Sequence, residues 1–414
     1  MNSYLIVILV IYVLIALFGY WLDHLNISHL KKYGANIPPE FEGQVDQAVL
    51  DKMRDYTVEN TRFGIISSII NNIILIVFLF GGVLNIYNSW IVSMGLPFII
   101  SGLVFFLLLT YAETVISMPF SIYRTFKIEK KYGFNTMTPK LWITDQIKSL
   151  LISTIMLSLF IAGGLWIYQK SSDLWWFWIW CFFFAFSIFM MYISPYVLEP
   201  LFNKFVPVGD DELEDDINSL MQKVGIKVSR VFKMDASKRS THTNAYFSGV
   251  GKVKRIVLFD TLIEQLSKSE ILSVLAHEAG HWKKKHVLKF IIVTEVVALI
   301  AFYISFHLLK SDLLAELFHI TDSTLFAKLI VLGFLGSIIL FPFTPLIHAF
   351  SRKHERQADD YSCDLTGDKE SMITSLVKLS KDNLSNLHPH PLYALFHYSH
   401  PPVLERIRRL ENKH

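Results

Sequence analysis

The sequence predicts a mainly α-helical, polytopic membrane fold: seven transmembrane helices carrying a cytosolic cap that contains a small β-sheet. Three observations lead there. Of 414 residues, 52% are hydrophobic and 14% aromatic while only 18% are charged, a balance unlike that of a water-soluble domain. Seven apolar stretches meet or approach the about 20 residues that a spanning helix needs, at roughly 4–22, 64–87, 96–117, 150–168, 174–198, 287–309 and 326–350. Between the fifth and sixth, residues 199–286 change to short β-branched and aromatic runs separated by polar turns.

Charge placement gives the orientation. The 118–149 loop carries Arg124, Lys127, Lys130, Lys131, Lys140 and Lys148, which makes it cytosolic by the positive-inside rule. Counting from it, the 23–63 loop, the 199–286 segment and the tail from Ser351 also face the cytosol, and the short loops 88–95, 169–173 and 310–325 face out. Nothing charged precedes the first stretch, at Met1 and Asn2, and no small-residue cleavage site follows it. Tyr20 and Trp21 read as interface anchors of a retained helix. Four divisions follow: 1–198 with five spans, the soluble insertion 199–286, the last two spans 287–350, and the C-terminal segment 351–414. No internal repeat or low-complexity linker interrupts them.

Within the spans, Asn71, Asn72, Asn85 and Glu113 are costly in lipid. Two readings stay open for them: hydrogen bonds between helices, or the lining of a wet cavity. The net charge of +3 is small for this length and gives no reason to expect a nucleic-acid partner. Cys181 and Cys363 are too few for a zinc ribbon or a disulfide framework and read as ordinary thiols.

In the insertion, Asp211 to Val224 has the pattern of an acidic amphipathic helix stopped by Gly225. Val228 to Asp235, Asn244 to Val250 and Arg255 to Asp260 then read as strands. From Glu264 the period lengthens into a helix, with Ser267 or Ser269 as its cap and Ile271, Leu272, Val274 and Leu275 as its apolar stripe. That helix runs through His277-Glu278-Ala279-Gly280-His281, an H-E-x-x-H pattern. Residues four apart share a helix face, so both imidazoles can bind one Zn²⁺. Glu278 lies where its carboxylate can take a proton from zinc-bound water and pass it to a leaving amine. The pattern is that of a metalloprotease.

A catalytic zinc keeps three protein ligands, so one more must come from elsewhere. Ser351 to Asp359 starts a polar helix on which Glu355 and Asp359 share a face. Glu355 fits as the ligand and Asp359 as a hydrogen-bond partner behind a ligand histidine. Spacing alone leaves His354 as a rival, and leaves open a solvated face on which Glu355 and Asp359 pair with Arg352 and Arg356.

Over nearly its whole length the chain resembles the type I CAAX prenyl proteases, integral-membrane zinc endopeptidases related to the yeast a-factor-converting enzyme. The resemblance is carried by Pro39-Glu40-Phe41, Pro200 to Phe205, Thr243-Asn244-Ala245-Tyr246-Phe247, the HEAGHW stretch at 277–282, Ser351-Arg352 with Glu355 to Asp359, and Tyr398 to Pro402 with Glu405-Arg406. It implies Glu355 as third ligand, and one zinc per chain. It also implies Asn244 and His400 as donors to the developing oxyanion, with Arg406 nearby, a role that requires donors aimed at where charge appears. Asn244, Ala245, Tyr246 and Phe247 are then the edge along which a substrate lies extended. The resemblance further implies a water-filled chamber within the membrane, and removal of the last three residues of prenylated substrates. The chain lacks the long hydrophilic inserts and retrieval signal of the larger eukaryotic members. Its compactness points to a bacterial cell membrane, whereas a eukaryotic source would place it in the endoplasmic reticulum.

Three other classes compete. A heat-shock-type quality-control metalloprotease shares the zinc motif but has fewer spans. An intramembrane site-2-type protease would carry the motif in mid-span, whereas Lys283, Lys284 and Lys285 follow it here. A transporter-like bundle with an incidental zinc motif would give Glu355 no role.

Overall fold

Long apolar runs in lipid can satisfy their backbone only by forming helices, and seven helices here are long and apolar enough to cross a membrane. The computed structural model describes residues 3–248 and 253–413. Met1, Asn2 and His414 lie outside it, as do residues 249–252 with the end of the strand expected over Asn244–Val250. Polar residues prolong most helices beyond the apolar stretches that predicted them. α1 covers Ser3–Tyr33, and α2 covers Gln47–Phe80 behind Asp46, whose side chain accepts from the Val49 amide at 2.8 Å.

The second apolar stretch is not one helix. α2 ends at Phe80, and Gly81-Gly82, the latter at φ +81°, turns the chain into α3, Val83–Ser93. A left-handed glycine leaves no trace in a hydropathy window, so the expectation for 64–87 ran through it. α4 (Phe98–Tyr123), α5 (Pro139–Lys170) and α6 (Trp175–Ile193) complete the first five spans.

Segments expected to share a side of the membrane touch one another. Arg239 of the insertion grips Asp145 with Nε and Nη2 at 2.8 and 3.1 Å, and the His242 ring stacks on Phe134 with centroids 4.0 Å apart. Glu40 of the first loop meets Arg408 near the C-terminus at 2.5 Å. At the opposite end Asn85 donates to Thr321 Oγ1 at 3.2 Å and accepts from the Thr321 amide at 2.8 Å. Asn72 of α2 accepts from Tyr12 and donates to Tyr20 of α1, both at 2.7 Å. For Asn72 the helix-to-helix reading holds, Asn85 bonds instead to the 310–325 loop, and Asn71 and Glu113 are exposed.

The insertion folds as a sheet of β1 (Phe205–Pro207), β2 (Lys227–Met234), β3 (Ala245–Ser248) and β4 (Val253–Phe259), ordered β1-β2-β4-β3. β2 and β4 are parallel, and the flanking strands pair antiparallel. β1 escaped the sequence reading: it is three residues ending in proline, tolerable because the strand lies at an edge. α7 (Asp211–Val224) has the expected span. Asp210 caps it, Gly225 ends it at φ +80°, and it buries Leu213, Ile217, Leu220, Met221 and Val224.

α8 (Lys268–Lys283) begins at Ser267, which forms a reciprocal capping box with Glu270. Its buried Ile271, Leu275, Ala276 and Ala279 pack with Val231, Ile256 and Leu258 of the sheet. The longer helices that follow are α9 (His286–Lys310), α10 (Leu325–Leu340), α11 (Thr344–Thr366) and α12 (Lys369–Asp382). The chain ends in α13 (Pro391–His397) and α14 (Val403–Glu411). The polar helix does not start at Ser351 as expected: α11 begins at Thr344, one tight turn after α10, and thus runs from the last span directly into the site.

Candidate metal centre

α8 and α11 cross where neither carries bulk. A β-carbon added to Gly280 would lie 3.1 Å from the Ala358 Cα and 3.3 Å from its carbonyl oxygen. This close approach sets His277 and His281, one turn apart on α8, against Glu355 and Asp359, one turn apart on α11. His277 Nε2 and His281 Nε2 are 3.1 Å apart, Glu355 Oε2 is 3.4 Å from the first, and Glu355 Oε1 is 3.3 Å from the second. A tetrahedral ion with bonds of about 2.0–2.1 Å needs its ligand atoms about 3.3–3.4 Å apart. One donor from each of the three residues lies within 4.8 Å of the others, and Glu355 Oε2 is buried without a hydrogen-bond partner. A buried lone pair facing two imidazole nitrogens is what a cation would satisfy, so the residues fit a metal.

Groups behind the donors hold them. His277 Nδ1 is 2.8 Å from Asp359 Oδ1, and Asp359, 1% exposed, is gripped by Arg406 through Nε at 2.9 Å and Nη2 at 2.6 Å. Burial works against the charge on Arg406, but Asp359 more than offsets it and raises the guanidinium pKa. His281 Nδ1 is 3.1 Å from His286 Nδ1, and His286 Nε2 is 2.9 Å from Gln357 Oε1. Neither His286 nor Gln357 was singled out from the sequence.

The rivals of Glu355 go elsewhere. His354 stacks face to face on His286, centroids 4.0 Å apart, outside the donor cluster. Arg352 donates to the Tyr398 carbonyl at 2.7 Å, and Arg356 to Glu405 at 2.6 Å, so the alternative of a charge-paired solvated face does not form.

Beside the donors opens a cleft of about 190 Å³, lined among others by Asn244, Ala245, Glu278, His400 and Arg406. Burial pushes the Glu278 carboxyl above the usual carboxylate range, against the pull of His277 and His281. His400 is exposed, with Nε2 3.4 Å from Glu355 Oε2 and Nδ1 2.9 Å from Ser399 Oγ. Asn244 Oδ1 accepts from the Ala245 amide at 2.8 Å. The side chains of Tyr246 and Phe247 do not line this cleft. Tyr246 donates to Glu199 at 2.5 Å, and Phe247 packs with the core of the cap.

A seven-span bundle whose soluble face gathers two helix-borne histidines, a glutamate from a second helix and a neighbouring carboxylate defines a membrane-embedded metalloprotease. Residues 26–204 match the family model described as CAAX prenyl protease N-terminal, five membrane helices, and residues 207–414 match peptidase family M48. The chain belongs to peptidase family M48. It is 34% identical to CAAX prenyl protease 1 of Saccharomyces cerevisiae over 91% of this chain and 88% of the yeast protein. It is 31% identical to the uncharacterized metalloprotease YhfN of Bacillus subtilis over 97% and 95% of the respective chains. The crystal structure of S. mikatae Ste24p superposes with a TM-score of 0.92 at 31% identity, covering 99% of this chain and all of the other.

Proposed function

We propose that the protein is a zinc endopeptidase, with one zinc per chain, that hydrolyses peptide bonds near the C-terminus of peptide or protein substrates as a CAAX prenyl protease does. The observation that carries this reading is the convergence of His277, His281 and Glu355 beside a cleft that also holds Glu278. Zn²⁺ held there supplies Lewis acidity toward a peptide carbonyl and water. Glu278 accepts the proton that attacking water gives up and hands it to the departing amine. Because the Ala245 amide occupies Asn244 Oδ1, the Asn244 Nδ2 hydrogens are the group this side chain offers an oxyanion. His400 offers a second donor from the open side of the cleft. Arg406 acts through Asp359, which holds the proton on His277 Nδ1 and so directs Nε2 to the metal.

β3 is an edge strand of its sheet, and the side chains of Tyr246 and Phe247 are engaged elsewhere. A substrate is therefore bound along the Asn244–Phe247 backbone as an added strand. Segments 199–286 and 351–414 form the catalytic cap, and the spans in 1–198 and 287–350 hold it at the bilayer. The basic 118–149 segment, in contact with the cap through Asp145 and Phe134, supports a site that faces the cytosol, and the compactness of the chain supports a bacterial cell membrane.

The test incubates purified protein with a farnesylated CAAX peptide and with its unmodified counterpart, and identifies products by mass. Glu278→Gln is expected to keep zinc and abolish cleavage, whereas Glu355→Ala loses both. No cleavage of either peptide overturns the reading. So does a Glu278→Gln protein that retains more than a few per cent of activity.

A further inference from the structure

His281 can bind a cation through Nε2 only if its single ring hydrogen resides on Nδ1, because neutral imidazole has one N–H and one lone pair. That hydrogen needs an acceptor. For His277 the group within reach is the Asp359 carboxylate at 2.8 Å, but among the described residues no carboxylate stands behind His281. The group within reach is His286 Nδ1 at 3.1 Å, and His286 itself is 3% exposed, so its other nitrogen must also be satisfied inside the protein. It meets Gln357 Oε1 at 2.9 Å.

We propose that Gln357 and His286 form a proton-ordering relay that fixes His281 in its metal-binding tautomer, making both of them positioning residues. This rests on the assignment of His277, His281 and Glu355 as metal ligands. The logic follows from counting hydrogens along the chain of contacts. Gln357 Oε1 can only accept, so His286 carries its hydrogen on Nε2. His286 Nδ1 is then a lone pair and accepts from His281 Nδ1–H. His281 Nε2 is left bare, toward Glu355 Oε1 and His277 Nε2. The opposite polarity, in which the Gln357 amide turns its NH₂ to His286, reverses each step and leaves a hydrogen on His281 Nε2, where it blocks the metal.

The backbone is shaped for this contact. Residues five apart on one helix do not face each other, yet His286 returns to His281 because α8 ends at Lys283 and Lys285 takes a left-handed turn at φ +56°. The His354 ring, parallel to His286 within 8°, fixes the plane in which His286 presents its two nitrogens. His286 and Gln357 come from α9 and α11, so the relay ties the start of one span and the polar continuation of another to a single donor atom.

The experiment measures zinc affinity of the full-length, detergent-purified protein by competition with a chelator, next to the thermal midpoint of the metal-free form. His286→Phe keeps a ring to stack on His354 but lacks an acceptor, and is expected to weaken zinc binding by about 10–100-fold. His286→Asn, whose Oδ1 replaces the Nδ1 lone pair, should recover most of that loss of zinc affinity. Gln357→Glu, which can only accept, should hold zinc at least as tightly as the parent, whereas Gln357→Leu should hold it several-fold less tightly. Parental zinc affinity in His286→Phe overturns the relay, as does an Asn variant no better than Phe. Should His286→Phe fail to fold, equal affinities of Gln357→Glu and Gln357→Leu overturn it instead. Failure of the underlying ligand assignment looks different: His281→Ala would then keep its zinc.

Discussion

The two histidines of the centre lie four residues apart on one helix, yet the groups behind them differ in kind. Behind His277 stands a full charge, Asp359, balanced by Arg406 from the C-terminal helix α14. Behind His281 stand an imidazole and an amide, with no charge at all. A carboxylate makes its histidine the more basic donor, but burying it leaves a charge that only a second buried charge can balance. A neutral relay orders a proton without that burden. The difference gives a helix some fifty residues downstream a place beside the donors: Arg406, together with His277, favours the ionised form of the buried Asp359.

Breaking the charged side should have the largest effect. Asp359→Ala strands Arg406 as a buried, unpaired cation and is expected to cost about 3–5 kcal/mol of stability, read from chemical or thermal unfolding, together with most of the bound zinc. The double change Asp359→Ala with Arg406→Leu removes both charges and should return a large part of the stability without returning the metal affinity. Full recovery of zinc binding in the double variant would mean that Asp359 does not tune His277.

His400 comes next, and sharpens the comparison because it borders the donors from the open side. If it donates to the oxyanion, His400→Ala should lower kcat by about 10²–10³-fold with little change in KM, and zinc content should stay at the parental level. Near-normal kcat would remove His400 from the site. The smallest effect belongs to Arg356→Ala, one turn before Asp359 on the α11 surface. Its pair with Glu405 is exposed, so its loss should change stability by about 0.2–1 kcal/mol, with zinc and kcat unchanged. A larger loss would show that the surface of α11 also supports the centre.

Much of this is legible in the sequence. The seven spans follow from apolar length, α7 and α8 from periodicity and caps, and the pairing of His277 with His281 from four-residue spacing. The contest between Glu355 and His354 was not decidable by spacing, since adjacent residues on a helix differ only in direction. The family resemblance favours Glu355, and in the structure Glu355 joins the donor cluster while His354 stacks on a ring 68 residues away in sequence. The break at Gly81-Gly82 and the early start of α11 were missed because hydropathy reports burial in lipid, not backbone continuity. His286 and Gln357 were missed for a deeper reason: tautomer ordering requires two residues that have no periodic relation to His281. The one available signal was that Gln357 lies within the Glu355–Asp359 motif without an assigned task.

The crossing of α8 and α11 at Gly280 also bears on which ions the protein accepts. Two of the three atoms nearest to a β-carbon added at 280 belong to the backbone of Ala358, at 3.1 and 3.3 Å, so a side chain there would need the helices to give by a few tenths of an ångström. Without a β-carbon at 280 the helices approach main chain to main chain, and the three donor atoms lie at the short separations described above. Calcium, with oxygen bonds of about 2.3–2.6 Å and six to eight ligands, would require the donors to spread and the helices to part. A residue with no functional group thus lets two helices approach closely enough for the donors to match the edges of a small tetrahedral ion.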